Sequence, residues 1–305
     1  MVSAILNVVI MSNKIRMFKN TFSLYLQLGK FRLCLLVLFT ALIGYGLGVE
    51  HFDIGELWAF STGTLLTAMG ANGLNQWWER ERDSLMVRTR NRPIPSKKMT
   101  STHALLATMI WSVAGIIVLL IGVNGLTALL AFITLVSYLL IYTPAKPYSS
   151  IAVLLGAVPG AIPPMMGWTA ATNTLSIEAW VLGCVLFLWQ IPHFMSLASI
   201  YRHDYDKGGY HLLLDNPEIE RATRGIILVF SLALLGVTLL APAVGVGKSV
   251  FLIGATVFGG IMVWFAIRLY QQYSIKNARL VFRGSIIYIP LLMILLLVDQ
   301  RILSL

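Results

Sequence analysis

The chain has 305 residues, of which 57% are hydrophobic and only 12% charged. A soluble protein of this size carries about a quarter charged residues, whereas repeated apolar runs of about 18–22 residues here mark a polytopic α-helical membrane protein. In a soluble chain the net charge of +10 would suggest nucleic acid, but these basic residues sit mostly in loops, where they set orientation and meet anionic lipid or a charged substrate, so no nucleic-acid partner is expected.

Residues 1–30 read as a basic N-terminal segment. A short apolar start, Met1 to Met11, precedes Lys14, Arg16, Lys19 and Lys30. It is too short to span a bilayer, and the order of apolar and basic parts is wrong for a secretory signal. With no acid before Glu50, a mitochondrial presequence stays open, as does Met11 as the true start. Residues 31–305 read as one domain with nine candidate spans, at roughly 31–49, 54–76, 103–122, 126–143, 150–170, 178–200, 224–244, 249–270 and 284–304. Counting Lys and Arg on alternate sides puts 21 on one face and 2, Lys248 and Arg301, on the other. By the positive-inside rule the N-terminus and the large loops face the cytoplasm, or a mitochondrial matrix, and the C-terminus lies opposite. A miscounted helix would scramble this split, which supports nine. Cys34 and Cys184 lie inside apolar runs without metal-ligand spacing, and buried small hydrophobes are expected there.

The first charged loop, after span 2, is N-Q-W-W-E-R-E-R-D-S-L-M-V-R-T-R-N-R-P, with three acids and five arginines between Asn75 and Pro93. Asn75, Glu79 and Asp83 fall at i, i+4 and i+8, so a helix continuing past the apolar core presents all three on one face. A column of oxygen donors at a helix end suits Mg²⁺, which takes one or two carboxylates and completes its shell with water and phosphate oxygens. Glu81 points elsewhere and fits a partner for neighbouring arginines. Arg88, Arg90 and Arg92 supply forks that hold phosphate bidentately, and Pro93 and Pro95 stop any helix. The plainer reading is an interfacial helix whose acids and arginines pair with one another.

The second charged loop follows span 6. His193 lies within the apolar region, where an ionisable side chain signals a site, while Arg202, Asp204, Asp206 and Lys207 lie at its cytoplasmic end. Asp204 is the expected second carboxylate facing the first cluster. A plainer role for His193 is to bond a carbonyl freed by Pro192. Lys146, alone in its short loop, fits either a phosphate or anionic lipid. Pro159, Pro163 and Pro164, with Gly156, Gly160 and Gly167, are expected to break or kink span 5, which suits a binding cavity or simple close packing of helices.

With these pieces in view the chain resembles the heme-farnesylating branch of the UbiA-type intramembrane prenyltransferases, the heme O synthases. The first-loop stretch is joined by Y-T-P-A-K, G-A-I-P-P-M-M-G-W-T-A-A-T, W-Q-I-P-H-F and D-Y-D-K-G-G, in the family's order across roughly residues 30–300. R-T-x-N-R-P, P-P-x-x-G-W and W-Q-x-P-H-F are specific to the heme branch; the wider superfamily shares only the acidic motifs. The resemblance implies an all-α fold of nine helices around a central lipid-accessible cavity. It implies farnesyl transfer from farnesyl diphosphate to a vinyl group of heme b, with Mg²⁺ as cofactor and the lipid bilayer as setting. The host membrane would be the bacterial inner membrane or, alternatively, the mitochondrial inner membrane. Heme A synthase or oxidase assembly proteins are the implied partners.

By the family pattern Asn75, Glu79, Asp83 and Asp204 are catalytic and hold metal, with Glu79 where many members carry Asp. Arg88, Arg92, Lys146, Arg202 and Lys207 would hold diphosphate, and His193 and Tyr201 would position the porphyrin. One departure stands out: Ile200 occupies the earlier acidic position of the second motif and cannot bind metal, which puts a second metal in doubt or moves ligation to His203 or Asp206. The rival readings are a UbiA-type enzyme with another acceptor (a quinone precursor or a chlorophyll-type tetrapyrrole), a secondary transporter, and a non-catalytic assembly factor.

Overall fold

The computed structural model describes residues 21–149, 151–210 and 217–301, and the regular elements among them are all helical. The N-terminal segment up to residue 20, with Lys14, Arg16 and Lys19, lies outside the described residues, as do 302–305 at the end of the ninth expected span. The helices are α1 (Phe31–Gly48), α2 (Ile54–Trp78), α3 (Arg80–Leu85), α4 (Ser101–Gly122), α5 (Gly125–Ala145) and α6 (Ala152–Thr172). They continue with α7 (Ile177–Ile200), α8 (Arg202–Lys207), α9 (Pro217–Leu240), α10 (Ser249–Gln271) and α11 (Ile275–Arg301).

Eight of these helices are long and apolar enough to cross a membrane. The exception among the nine expected spans is α2, which is 25 residues long but rich in Gly, Ser, Thr and Asn. Those residues form a seam. A Cβ on Gly63 would meet the Leu119 side chain, one on Gly70 would lie 2.2 Å from Ser112 Oγ, and one on Gly73 would lie 2.2 Å from Thr108 Cγ2, so α2 and α4 touch almost backbone to backbone. Small residues let membrane helices approach this closely, and they lower the hydropathy of the helix that carries them. Helices α9 and α11 begin at Pro217 and Ile275, earlier than the apolar runs at 224 and 284. Their first turns carry Glu218, Glu220, Lys276 and Arg279, which hydropathy reads as loop although the helix has already begun.

A second close crossing joins α1 to α6. A Cβ on Gly167 would lie 1.8 Å from the Ala41 carbonyl oxygen, and one on Gly44 would lie 2.1 Å from the Pro164 carbonyl oxygen. Pro159, Pro163 and Pro164 are buried inside α6, and the helix runs through them as one element of 21 residues, so of the expected break or kink the break does not occur. Outward faces carry exposed Ile110, Ile121, Ile253 and Ile287, as lipid contact requires. Cys34 is buried as expected; Cys184 is instead exposed. An apolar run does not reveal which face of a span meets lipid, because that face is as apolar as the core.

At the end of the bundle away from the charged loops, the last turn of α11 ties three segments together. Asp299 accepts from Lys248 N at 2.6 Å and Phe251 N at 3.0 Å, capping α10. Gln300 bonds Gly247 N and Gly245 O. Arg301 donates to the carbonyls of Gly46, Leu47 and Val49, closing the C-terminus of α1.

Candidate active site

The acid column forms where α2 meets α3. Glu79 is the joint, and helical hydrogen bonds carry across it, from Glu79 N to Asn75 O at 2.9 Å and from Asp83 N to Glu79 O at 2.8 Å. Asn75, Glu79 and Asp83 therefore share one face, and all three are almost fully buried. Each has a partner. Asn75 donates through Nδ2 to Thr143 Oγ1 at 3.2 Å and accepts through Oδ1 from Lys30 Nζ at 3.2 Å. Glu79 accepts from Lys146 Nζ with both oxygens, at 3.1 and 3.2 Å. Asp83 pairs with Arg92 at 2.5 Å through Oδ2, while its Oδ1 is buried without a partner.

Two local features deliver the cations. The end of α5 is a π-helical turn over Ser137–Tyr142; Pro144, which lacks an N–H, follows it, and such bulges are frequent at functional sites. Thr143 Oγ1 donates to Tyr138 O at 2.8 Å. This turn sets Thr143 against Asn75 and, three residues on, Lys146 against Glu79. Arg92 sits in a wound loop in which Thr89 Oγ1 donates to Asp83 O at 2.8 Å and Arg90 N to Met86 O at 2.9 Å. Burial alone would raise the Glu79 carboxyl, but Lys146 and Lys30 outweigh it and hold Glu79 below the usual carboxylate range. Burial likewise works against Lys146, and Glu79 lifts its ammonium well above the ordinary value. Lys30 is brought down to about 7, by burial first and Arg92 next. Lys146 and Arg92 balance the two carboxylates, and Lys30, its ammonium weakened by burial, stands beside Asn75 as a third basic group.

The second charged loop docks on the first. Asp204 accepts from Val87 N at 2.8 Å and Arg88 N at 3.3 Å, so its oxygens hold the backbone of the first loop rather than joining the acid column. Arg82 donates to the carbonyls of Gly208 and Gly209 at 3.1 and 2.9 Å. Gly209 has φ +68, and a Cβ there would lie 2.9 Å from the Arg82 guanidinium, so glycine is needed both for the turn and for the approach. Tyr210, fully buried, lays its ring 4.6 Å from Lys146 Nζ and 5.5 Å from Arg82. Arg88 stacks on Tyr201 and Tyr205 and bonds the Tyr205 hydroxyl at 3.3 Å. A cleft of about 240 Å³ opens beside the column, lined by Trp78, Glu79, Arg82, Thr143 and Tyr210 among others.

The remaining expected residues lie apart. Arg202, His203 and Asp206 line a second cleft of about 320 Å³ with Ile200 and Tyr273. Lys207 is exposed at the end of α8. His193 bonds Ser285 Oγ of α11 through Nδ1 at 2.8 Å; it pairs with a hydroxyl, not with the carbonyl that Pro192 frees. Glu81 pairs with Arg80 at 3.3 Å on the exposed side. Lys30, Arg82, Thr143 and Tyr210 escaped the sequence reading. Lys30 was counted only for orientation, and Tyr210 carried one signal, its place directly after the Gly208–Gly209 turn.

The donor set fits a hard divalent cation. Asp83 Oδ1 is a buried carboxylate oxygen with nothing to bind, on the face that also carries Glu79 and Asn75. Among the described residues no three His, Cys, Asp or Glu side chains gather. An ion here therefore takes at most two carboxylates from this column and needs phosphate or water to complete its shell.

Comparison with known proteins gives the family and the fold. The model of the UbiA prenyltransferase family matches residues 37–292. A protoheme IX farnesyltransferase of Solibacter usitatus is 37% identical over 287 residues, covering 90% of this chain and 98% of that protein. One of Bordetella pertussis is 38% identical over 278 residues, covering 90% and 93%. Among solved structures, digeranylgeranylglyceryl phosphate synthase superposes with a TM-score of 0.78 at 16% identity, covering 92% of this chain and 99% of that one. A UbiA homolog from Archaeoglobus fulgidus bound to DMAPP and Mg²⁺ gives 0.65 at 11% identity, covering 91% and 99%. These two likenesses concern the fold.

Proposed function

This chain belongs to the UbiA prenyltransferase family, and from that premise we propose that it transfers a farnesyl group from farnesyl diphosphate to a vinyl group of heme b, giving heme O and pyrophosphate. The observation that carries the reading is the buried column of Asn75, Glu79 and Asp83 with Lys30, Lys146 and Arg92 set against it. The relatives named protoheme IX farnesyltransferase supply the acceptor. The protein is an integral multi-pass membrane protein. We read α2 as its ninth span, the charged loops as cytoplasmic, the N-terminus on the same side, and the bacterial inner membrane as its site. Residues 31–305 act as one domain, with a lipid-accessible cavity between the helices and heme A synthase or oxidase assembly proteins as partners.

Asn75, Glu79 and Asp83 would hold Mg²⁺, which when bound would supply positive charge to the diphosphate and the departing pyrophosphate. Lys146 and Arg92 neutralise Glu79 and Asp83 in the free site. Lys146 and Arg92 could exchange those ion pairs for phosphate contacts when substrate binds, so that no buried charge is stranded. Arg88, Arg202 and Lys207 add charge on the same face, and Asp204 contributes by holding the loop that bears Arg88. The C1–O bond of farnesyl diphosphate breaks, with its electron pair leaving on pyrophosphate. The terminal carbon of the heme vinyl group bonds to C1, and the inner vinyl carbon takes the oxygen of water. The proton lost from that water goes to pyrophosphate. The buried column under Tyr210 keeps other water away from the allylic cation. His193 and Tyr201 position the porphyrin. The test is turnover by purified protein in lipid nanodiscs with heme b, farnesyl diphosphate and Mg²⁺, products read by mass. Prenylation of an aromatic acid and none of heme would move the chain to a quinone-type branch, and the absence of pyrophosphate release would remove it from catalysis.

A further inference from the structure

Trp189 and His193, one turn apart on α7, both bond to a single residue of α11. The Trp189 indole N–H donates to the Ser285 carbonyl at 2.8 Å, and His193 Nδ1 lies 2.8 Å from Ser285 Oγ. The hydroxyl hydrogen of Ser285 is already committed, because Oγ donates to Phe282 O at 2.7 Å. Ser285 Oγ can then only accept from the histidine, so the ring carries its proton on Nδ1 and leaves a lone pair on Nε2. The ring cannot turn away. Trp189 stacks on it at 5.0 Å and 24°, and Phe282 lies over it at 4.9 Å and 31°. Nε2 has no partner among the described residues, and the side chain stays partly accessible, so this nitrogen is free to meet a ligand.

A neutral imidazole with one N–H fixed by an outer hydrogen bond and the other nitrogen presented bare is the arrangement that orients a metal ligand. Nε2 sits in a span with no carboxylate beside it among the described residues. The one metal that the proposed reaction brings into the membrane is the iron of the acceptor. We propose that His193 Nε2 ligates the iron of the tetrapyrrole acceptor, and that Ser285 is the positioning residue that sets its tautomer. The inference rests on the reading of heme as acceptor. A fixed iron fixes the porphyrin centre, so rotation about the bond selects which vinyl group is presented. The apolar cluster that contains Met86 and Tyr210 at the acid site also contains Ile191 and Met195, which flank His193 on α7, so the two sites share one packed body.

The test is a titration of purified protein in nanodiscs with ferric and ferrous heme b, followed by visible absorption, beside turnover with farnesyl diphosphate. Wild type is expected to show an imidazole-ligated spectrum. His193→Gly should lose it and regain it on addition of free imidazole, while the KM for farnesyl diphosphate stays unchanged. Ser285→Ala should keep the ligated spectrum but weaken heme binding by about tenfold or more. Metal-free protoporphyrin should bind wild type and His193→Gly equally. If His193→Gly binds heme with an unaltered spectrum while wild type farnesylates it, the iron-ligand proposal is wrong and the enzymatic reading stands. Should His193→Gly prove unstable, Ser285→Ala with an unshifted heme affinity overturns the proposal by itself. Wild type that neither binds nor farnesylates heme overturns both.

Discussion

The ion pair of Glu79 with Lys146 is where burial, charge and chemistry meet in single side chains. Glu79 is 4% exposed and Lys146 Nζ reaches both its oxygens. Removing one member strands the other charge in a dry setting, a loss of about 3–5 kcal/mol. Lys146→Met should therefore destabilise the protein by about that amount, and Glu79→Gln with Lys146→Met together by clearly less than either alone. Denaturant unfolding in detergent reads both, and a double variant as unstable as the sum of the singles would show that the pair is not coupled. All three variants lose turnover if the proposed function is right. The acid column itself was legible, because spacing of i, i+4 and i+8 on a continuing helix puts three side chains on one face whatever surrounds them. The partner of Glu79 was not. Lys146 lies 67 residues away, and only the π turn before Thr143 decides that it points inward instead of anchoring a span in lipid.

At the scale of elements, the helices were legible as apolar runs, but their seams were not. Hydropathy marks what is greasy, while the close crossings of α2 with α4 and α1 with α6 depend on where glycine falls. Those crossings set the angle at which α2 presents its acid column. Gly167 sits where a Cβ would lie 1.8 Å from the Ala41 carbonyl and 2.5 Å from Tyr45 N, both backbone atoms that cannot swing aside. Gly167→Ala should cost about 1–3 kcal/mol. Gly236 lies in α9 with nothing within 4 Å of its would-be Cβ, so Gly236→Ala should stabilise by about 0.5–1 kcal/mol through helix propensity alone. Thermal melts of the two variants in one detergent should move in opposite directions. A neutral Gly167→Ala would mean that α1 and α6 are free to separate. Of the break or kink expected in α6, the break is absent for a related reason: proline removes a donor, but buried among neighbouring helices it does not need to end the element.

At the scale of the molecule, the two charged loops meet at the end of the bundle that carries the acid column, and the contact between them was not legible in the sequence. Asp204 was expected across from Glu79 and Asp83 because an acidic motif resembles a metal ligand wherever it occurs. In the fold both its oxygens take backbone N–H groups of Val87 and Arg88, while Arg82 reaches back to Gly208 and Gly209. The loops thus hold each other, and the residues that ride on the first loop, Arg88 and Arg92, are fixed from the second. Hydrogen bonds to a charged acceptor contribute about 1.5–3 kcal/mol, so freeing this loop should weaken capture of an anionic substrate by about tenfold or somewhat more. Asp204→Ala is expected to raise the KM for farnesyl diphosphate by that factor while the Mg²⁺ concentration giving half-maximal rate stays where it is. Asp204→Asn, whose amide oxygen still accepts one N–H, should fall between. The opposite split, an unchanged KM with a much higher Mg²⁺ requirement, would make Asp204 a ligand that leaves the Val87 and Arg88 amides when the metal arrives.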